Sequence, residues 1–135
     1  MLECLILGDS IAVGVSQIRT ECVAYAKSGI NTKDYISKYG DKNLSGNTVI
    51  ISLGSNDLRK SNSYPHLLEL RSRVKATRVY WILPNEKLKP KQVEDIKSIA
   101  GFHKDIVIDR PTGNMSPDQV HPTYKGYKIL ADMAK

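Results

Sequence analysis

Ser10, Asn56, Asp118 and His121 give this chain a hydroxyl, a side-chain amide, a carboxylate and an imidazole. These are the parts acyl transfer needs. A serine hydroxyl is a weak nucleophile until a neighbouring base removes its proton during attack. His121 is the candidate base. Asp118, in the same loop, can reach the other ring nitrogen, fix the tautomer and stabilise the imidazolium that forms. A tetrahedral intermediate also needs donors aimed at its oxyanion. Asn56 offers an amide for this, and Ser10 and Gly29 offer backbone N–H groups. Losing one such donor typically costs about 3 to 4 kcal/mol of transition-state stabilisation.

Taken singly, each residue has a plainer reading. Ser10 suits a helix cap, Gly29 and Gly54 suit turns, and Asn56, Asp57 and the pair Pro117-Asp118 are turn formers. His121 before Pro122 suits an exposed loop, and only its fit with Ser10, Asn56 and Asp118 argues for chemistry. His66 and His103 have no such company and read as structural. Asp9 and Asp57 are expected to bond local backbone and shape their loops. Trp81, Tyr80 and the other tyrosines read as packing residues, with no cofactor box and no metal-ligand spacing; no cofactor is expected.

Apolar runs of strand length alternate with segments of helical period, which predicts an α/β fold with a parallel sheet covered on both faces. The strands are expected at Leu2 to Leu7, Cys22 to Ala26, Thr48 to Leu53, Arg78 to Leu83 and Ile106 to Ile108. Asn31 or Thr32 can cap a helix running towards Tyr39, and Ser63 one starting at Pro65. Pro90 suits the first turn of a helix carrying Val93, Ile96 and Ala100 inward, and a last helix begins near Thr123. Gly40 and Gly101 are expected stops. With no repeat, linker or low-complexity tract, residues 1–135 read as one domain. Open α/β sheets bind ligands beyond the carboxyl ends of their strands. The segments there are Gly8-Asp9-Ser10, Ser28-Gly29, Gly54-Ser55-Asn56-Asp57 and the loop with Asp118 and His121.

Those blocks, in that order, resemble the SGNH (GDSL-like) hydrolases, the similarity running from Gly8 to the His121-Pro122-Thr123-Tyr124-Lys125-Gly126-Tyr127 tail. The resemblance implies a flavodoxin-like three-layer fold of five parallel strands. It also implies Ser10 as nucleophile, Asp118 and His121 completing the triad, and Ser10, Gly29 and Asn56 forming the oxyanion hole. Gln119 stands where many relatives have glycine, and a second glycine often found after Gly29 is missing. Against an α/β-hydrolase, there is no Gly-x-Ser-x-Gly, and acid and base share one loop. Against a phosphate-binding loop, the glycines and lysine are missing and Asp9 would repel phosphate.

The expected activity is hydrolysis of a carboxylic ester through an acyl-enzyme, with an acetyl group on a carbohydrate favoured as substrate because no lipase-like lid is visible. Lipase or thioesterase action, and a glycan- or protein-binding module without turnover, are the alternatives. A net charge of +6 permits anionic partners, but Arg71, Arg73, Lys75, Arg78, Lys87, Lys89 and Lys91 fall on or beside helices as solvated charge. They lack interleaved aromatics, so no specific nucleic-acid binding is expected. Cys4 and Cys22 lie in apolar stretches without CxxC spacing and read as buried free thiols. The run from Met1 to Leu7 contains Glu3 and is too short for a signal peptide, and no stretch is long enough for a membrane span. The cytoplasm is the default location, with other export or packaging in a larger particle left open. The oligomeric state is not set by any motif.

Overall fold

In the computed structural model, which describes residues 2–110 and 115–134, the chain alternates strand and helix throughout. The elements are β1 (Leu2–Gly8), α1 (Ser10–Ile18), β2 (Val23–Ala26), α2 (Thr32–Tyr39), β3 (Ser45–Ser52), α3 (Tyr64–Arg73), β4 (Lys75–Ile82), α4 (Pro90–His103), β5 (Ile106–Ile108) and α5 (Tyr124–Met133). All strand pairs are parallel, in the order β2-β1-β3-β4-β5. This is the five-stranded parallel α/β sheet expected.

The two-residue period of a strand sends neighbours to opposite faces, so continuous apolar strands fill two cores. Leu5, Leu7, Val49, Ile51, Val79 and Trp81 pack on one face with residues of α2, α3 and α4. Ile6, Ile50, Tyr80, Ile82 and Ile108 pack on the other with α1 and α5. Each fully buried large side chain contributes about 1.5 to 3 kcal/mol relative to exposure. The central β1 and β3 carry most of this burial, whereas β2 and β5 are half-exposed edges. The carboxyl ends of β1 and β3 are buried throughout, and the candidate site lies beyond them.

Several expectations need correction. Cys4 and Cys22 are joined in a disulfide and are not free thiols. The sheet register explains it. Leu5 pairs with Val23, so Cys4 and Cys22 stand side by side one step earlier, with Cα atoms 4.8 Å apart. Gly101 does not end α4, which runs to His103 and stops where Lys104 takes a left-handed φ of 61°. Asp105 sets that stop. Its N–H donates to Ala100 O, and its carboxylate accepts from Arg71 at 2.7 and 2.9 Å and from the Trp81 indole at 3.0 Å. Arg71 is thus a partly buried pairing residue and not a solvated charge. Ser63 stands at the N-cap of α3 without a side-chain capping bond, because its hydroxyl donates to Asp57 instead. Asn31 caps α2, its Oδ1 accepting from Asp34 N at 2.8 Å. Thr32 turns to Asp57.

Candidate active site

The floor of the site is the junction of β1 and β3. Gly8 has φ +142°, and a Cβ there would lie 1.9 Å from Ser52 O, so only glycine lets the two strand ends meet. The chain then turns into α1. Asp9 is its N-cap, accepting from Ile11 N at 3.0 Å and from the Ser52 hydroxyl at 3.1 Å. Ser10 is the first residue of α1 and is not its cap, so its hydroxyl is free to face the opposite loop.

That loop spans Met115 to Pro122. Ser116 N donates to His121 O at 2.8 Å, and Met115 and Pro122 form an antiparallel bridge. Asp118 lies on its tip, with Oδ1 accepting from the N–H groups of Val120 at 2.9 Å and His121 at 3.0 Å. Its Oδ2 lies 2.8 Å from His121 Nδ1. With an ionised Asp118, that nitrogen carries the proton and donates it, leaving the lone pair on Nε2. Nε2 is 2.7 Å from Ser10 Oγ. Ser10, far away in sequence, thus forms one hydrogen-bonded chain with His121 and Asp118. Gln119 takes φ 59°, a left-handed conformation that costs a non-glycine residue about 1 to 2 kcal/mol. This is the position where the resembling family often has glycine.

Asn56 and Gly29 follow the ends of β3 and β2 in the chain. The Asn56 amide donates one hydrogen to Ile30 O at 3.1 Å, which fixes its plane and leaves the second hydrogen for another acceptor. Gly29 is exposed with φ +81°. Beneath Asn56, buried Asp57 joins the two loops by accepting from Thr32 N at 2.8 Å, Thr32 Oγ1 at 2.7 Å and Ser63 Oγ at 2.6 Å. Its reach is longer than the local role expected of it. Lys89 Nζ donates to Asp57 O and is likewise not a merely solvated charge.

No family model and no curated protein matches the sequence. Solved structures do match. A GDSL-like lipase from Bacteroides thetaiotaomicron superposes with a TM-score of 0.69 at 17% identity, covering 97% of this chain and 84% of the other. The chain has the fold of the GDSL-like hydrolases. A second similar structure is the catalytic domain of a Streptococcus pneumoniae peptidoglycan O-acetyltransferase, with a TM-score of 0.58 at 17% identity and 96% and 88% coverage. A third is a two-domain esterase active on acetylated mannans, with a TM-score of 0.59 at 15% identity. This chain is 96% covered there and spans 47% of that larger protein.

On this GDSL-like fold the two aspartates nearest Ser10 differ electrostatically. The His121 side chain and the N–H groups of His121 and Val120 hold Asp118 well below the usual carboxylate range. Burial pushes Asp9 up to about 6, although Ile11 N–H, Ser52 and Arg110 pull the other way. Arg110 was not singled out in the sequence. Its guanidinium donates to Leu83 O at 2.8 Å and to Ser55 Oγ at 2.5 Å. Burial lowers it to about 10, partly offset by Asp9. A basic residue two positions after β5, at the carboxyl end of the sheet, was the signal that could have found it.

Around Ser10 the surface is open. A cleft of about 490 Å³ beside Asn56 is lined by Asn31, Ser61, Asn62 and His66 among others. A much smaller cavity, about 10 Å³, lies between Ser55, Leu88 and Val120. His103 bonds Ile99 O along its own helix. Among the described residues, Cys4, Glu21 and Cys22 are grouped closely enough to hold a metal, but the disulfide removes both thiolates as ligands. No helix among the described residues is long and apolar enough to cross a membrane.

Proposed function

We propose that this chain is a serine ester hydrolase that removes short acyl groups, acetyl foremost, from a carbohydrate. The observation that carries this reading is the hydrogen-bonded chain from Ser10 Oγ through His121 to Asp118, with Asn56, whose amide keeps one hydrogen without a partner among the described residues, as the side-chain oxyanion donor. Ser10 Oγ attacks the ester carbonyl while its proton passes to His121 Nε2. Asp118 stabilises the imidazolium. The oxyanion is met by Asn56 and by the backbone N–H groups of Ser10 and Gly29. His121 then gives its proton to the departing alcohol, and later draws one from the water that frees Ser10.

The lining of the cleft beside Asn56 supports the substrate class. It offers amide, hydroxyl and imidazole groups suited to sugar hydroxyls. That one structural neighbour is active on acetylated mannans agrees with this. The Cys4–Cys22 disulfide supports an oxidising location in place of the default cytoplasm.

The test is release of p-nitrophenol from p-nitrophenyl acetate and longer-chain esters by the wild type beside Ser10→Ala. Acetyl hydrolysis that disappears in the variant is expected. Hydrolysis unaffected by Ser10→Ala would overturn the mechanism, and glycan binding without turnover would favour a binding module.

A further inference from the structure

Arg110 bridges two strand ends below the site. Its Nε donates to Leu83 O, just past β4, and its Nη2 donates to Ser55 Oγ, just past β3. Leu83 is itself held by its N–H donating to Ile108 O at 2.9 Å, so the bridge is anchored in the sheet. Ser55 precedes Asn56. The Asn56 side chain is secured from one direction by Ile30 O, and its exposed turn has Arg110 as a side-chain brace on the other. A charge-assisted bond is stronger and more directional than a neutral one, which suits it to holding a turn in place. Burying the guanidinium is costly. Nη1 is buried and has no hydrogen-bond partner among the described residues.

We propose that Arg110 is a positioning residue that acts through Ser55 to hold Asn56 where it meets the oxyanion. This rests on the esterase reading above. A sub-ångström shift of an oxyanion donor weakens the transition state more than the bound substrate. Arg110→Met is therefore expected to lower kcat on the order of 10-fold to 100-fold, short of the roughly 100-fold to 1,000-fold for removing a donor outright, with little change in KM. Ser55→Ala removes the acceptor and is expected to lower kcat in the same way.

The experiment measures kcat and KM on p-nitrophenyl acetate for the wild type, Ser10→Ala, Arg110→Met, Ser55→Ala and the Arg110→Met/Ser55→Ala double variant. The double variant should be no slower than Arg110→Met alone, because both changes break one link. Losses that multiply, or a kcat for Ser55→Ala within twofold of wild type, would overturn the proposal even if Arg110→Met fails to fold. If hydrolysis does not depend on Ser10, the esterase reading falls and takes this proposal with it. Ser10-dependent hydrolysis indifferent to Ser55 and Arg110 overturns this proposal alone.

Discussion

Asp9 and Asp118 bracket Ser10 from below and above, and their surroundings push them in opposite directions. Asp9 is fully buried, keeps Oδ2 without a hydrogen-bond partner among the described residues, and holds its proton up to about pH 6. Asp118 is exposed, accepts from two backbone N–H groups and from His121, and stays ionised into acid. Hydrogen bonds to a carboxylate outweigh its modest desolvation in the loop, while desolvation outweighs the bonds in the floor. The contrast separates labour within the site. The floor, with Asp9, Ser52 and Asp57, sets the shape; the loop above carries the proton chemistry.

The sharpest way to break that division is Asp118→Asn. An amide there would donate to His121 Nδ1 and hold the wrong tautomer, so kcat should fall roughly 10,000-fold. Thermal unfolding should barely change, and a large loss of stability would show the loop to be structural. The mirror experiment is Asp57→Ala, which strands the Thr32 N–H and the hydroxyls of Thr32 and Ser63 in a buried place. It should cost about 3 to 5 kcal/mol in urea unfolding. A near-normal midpoint would mean that the floor is less tightly organised than its bonds indicate.

Cys22→Ser tests a region remote from both. The disulfide closes the segment between Cys4 and Cys22, at the opposite end of β1 from Ser10. Its loss should cost about 3 kcal/mol while kcat stays within twofold. A comparable fall in kcat would show strain carried along β1.

Asp9→Asn gives the smallest and most pH-dependent effect. The folded chain releases the Asp9 proton at about 6 and the unfolded chain near 3.8, so its contribution is most favourable below pH 4 and declines as pH rises to about 6. The decline is about 3 kcal/mol at most. Asparagine caps α1 as well and does not titrate. The stability difference between variant and wild type should therefore move in the variant's favour between pH 4 and 7. A pH-independent difference would contradict the burial effect. Because Asp118 stays ionised into acid, its own protonation should leave no separate step in the wild-type rate profile between pH 4 and 8.

Strand positions and the residues at their carboxyl ends were legible because doubly buried strands are continuous apolar runs, and because turns at the sheet edge demand glycine, asparagine and aspartate. The triplet of Ser10, Asp118 and His121 was legible for a chemical reason, since few residue sets make a hydroxyl nucleophilic. Relations set only by three-dimensional register were hidden. Cys4 and Cys22 needed the pairing of Leu5 with Val23 to be known. Arg110 was not singled out in the sequence, because its bonds to Leu83 O and Ser55 Oγ depend on where β4 and β3 end in space. Ser63 and Gly101 misled because their local preferences were overridden by Asp57 and Asp105, whose partners lie on other elements.

The loop from Met115 to Pro122 is bonded to itself, and among the described residues it is tied outward by Asn85 Nδ2 donating to Gln119 O at 2.8 Å and by the bond between His121 and Ser10. Base and acid are therefore a preassembled cassette. Any displacement of the loop would carry both away together, so the site would switch between fully armed and fully disarmed without passing through a half-formed triad.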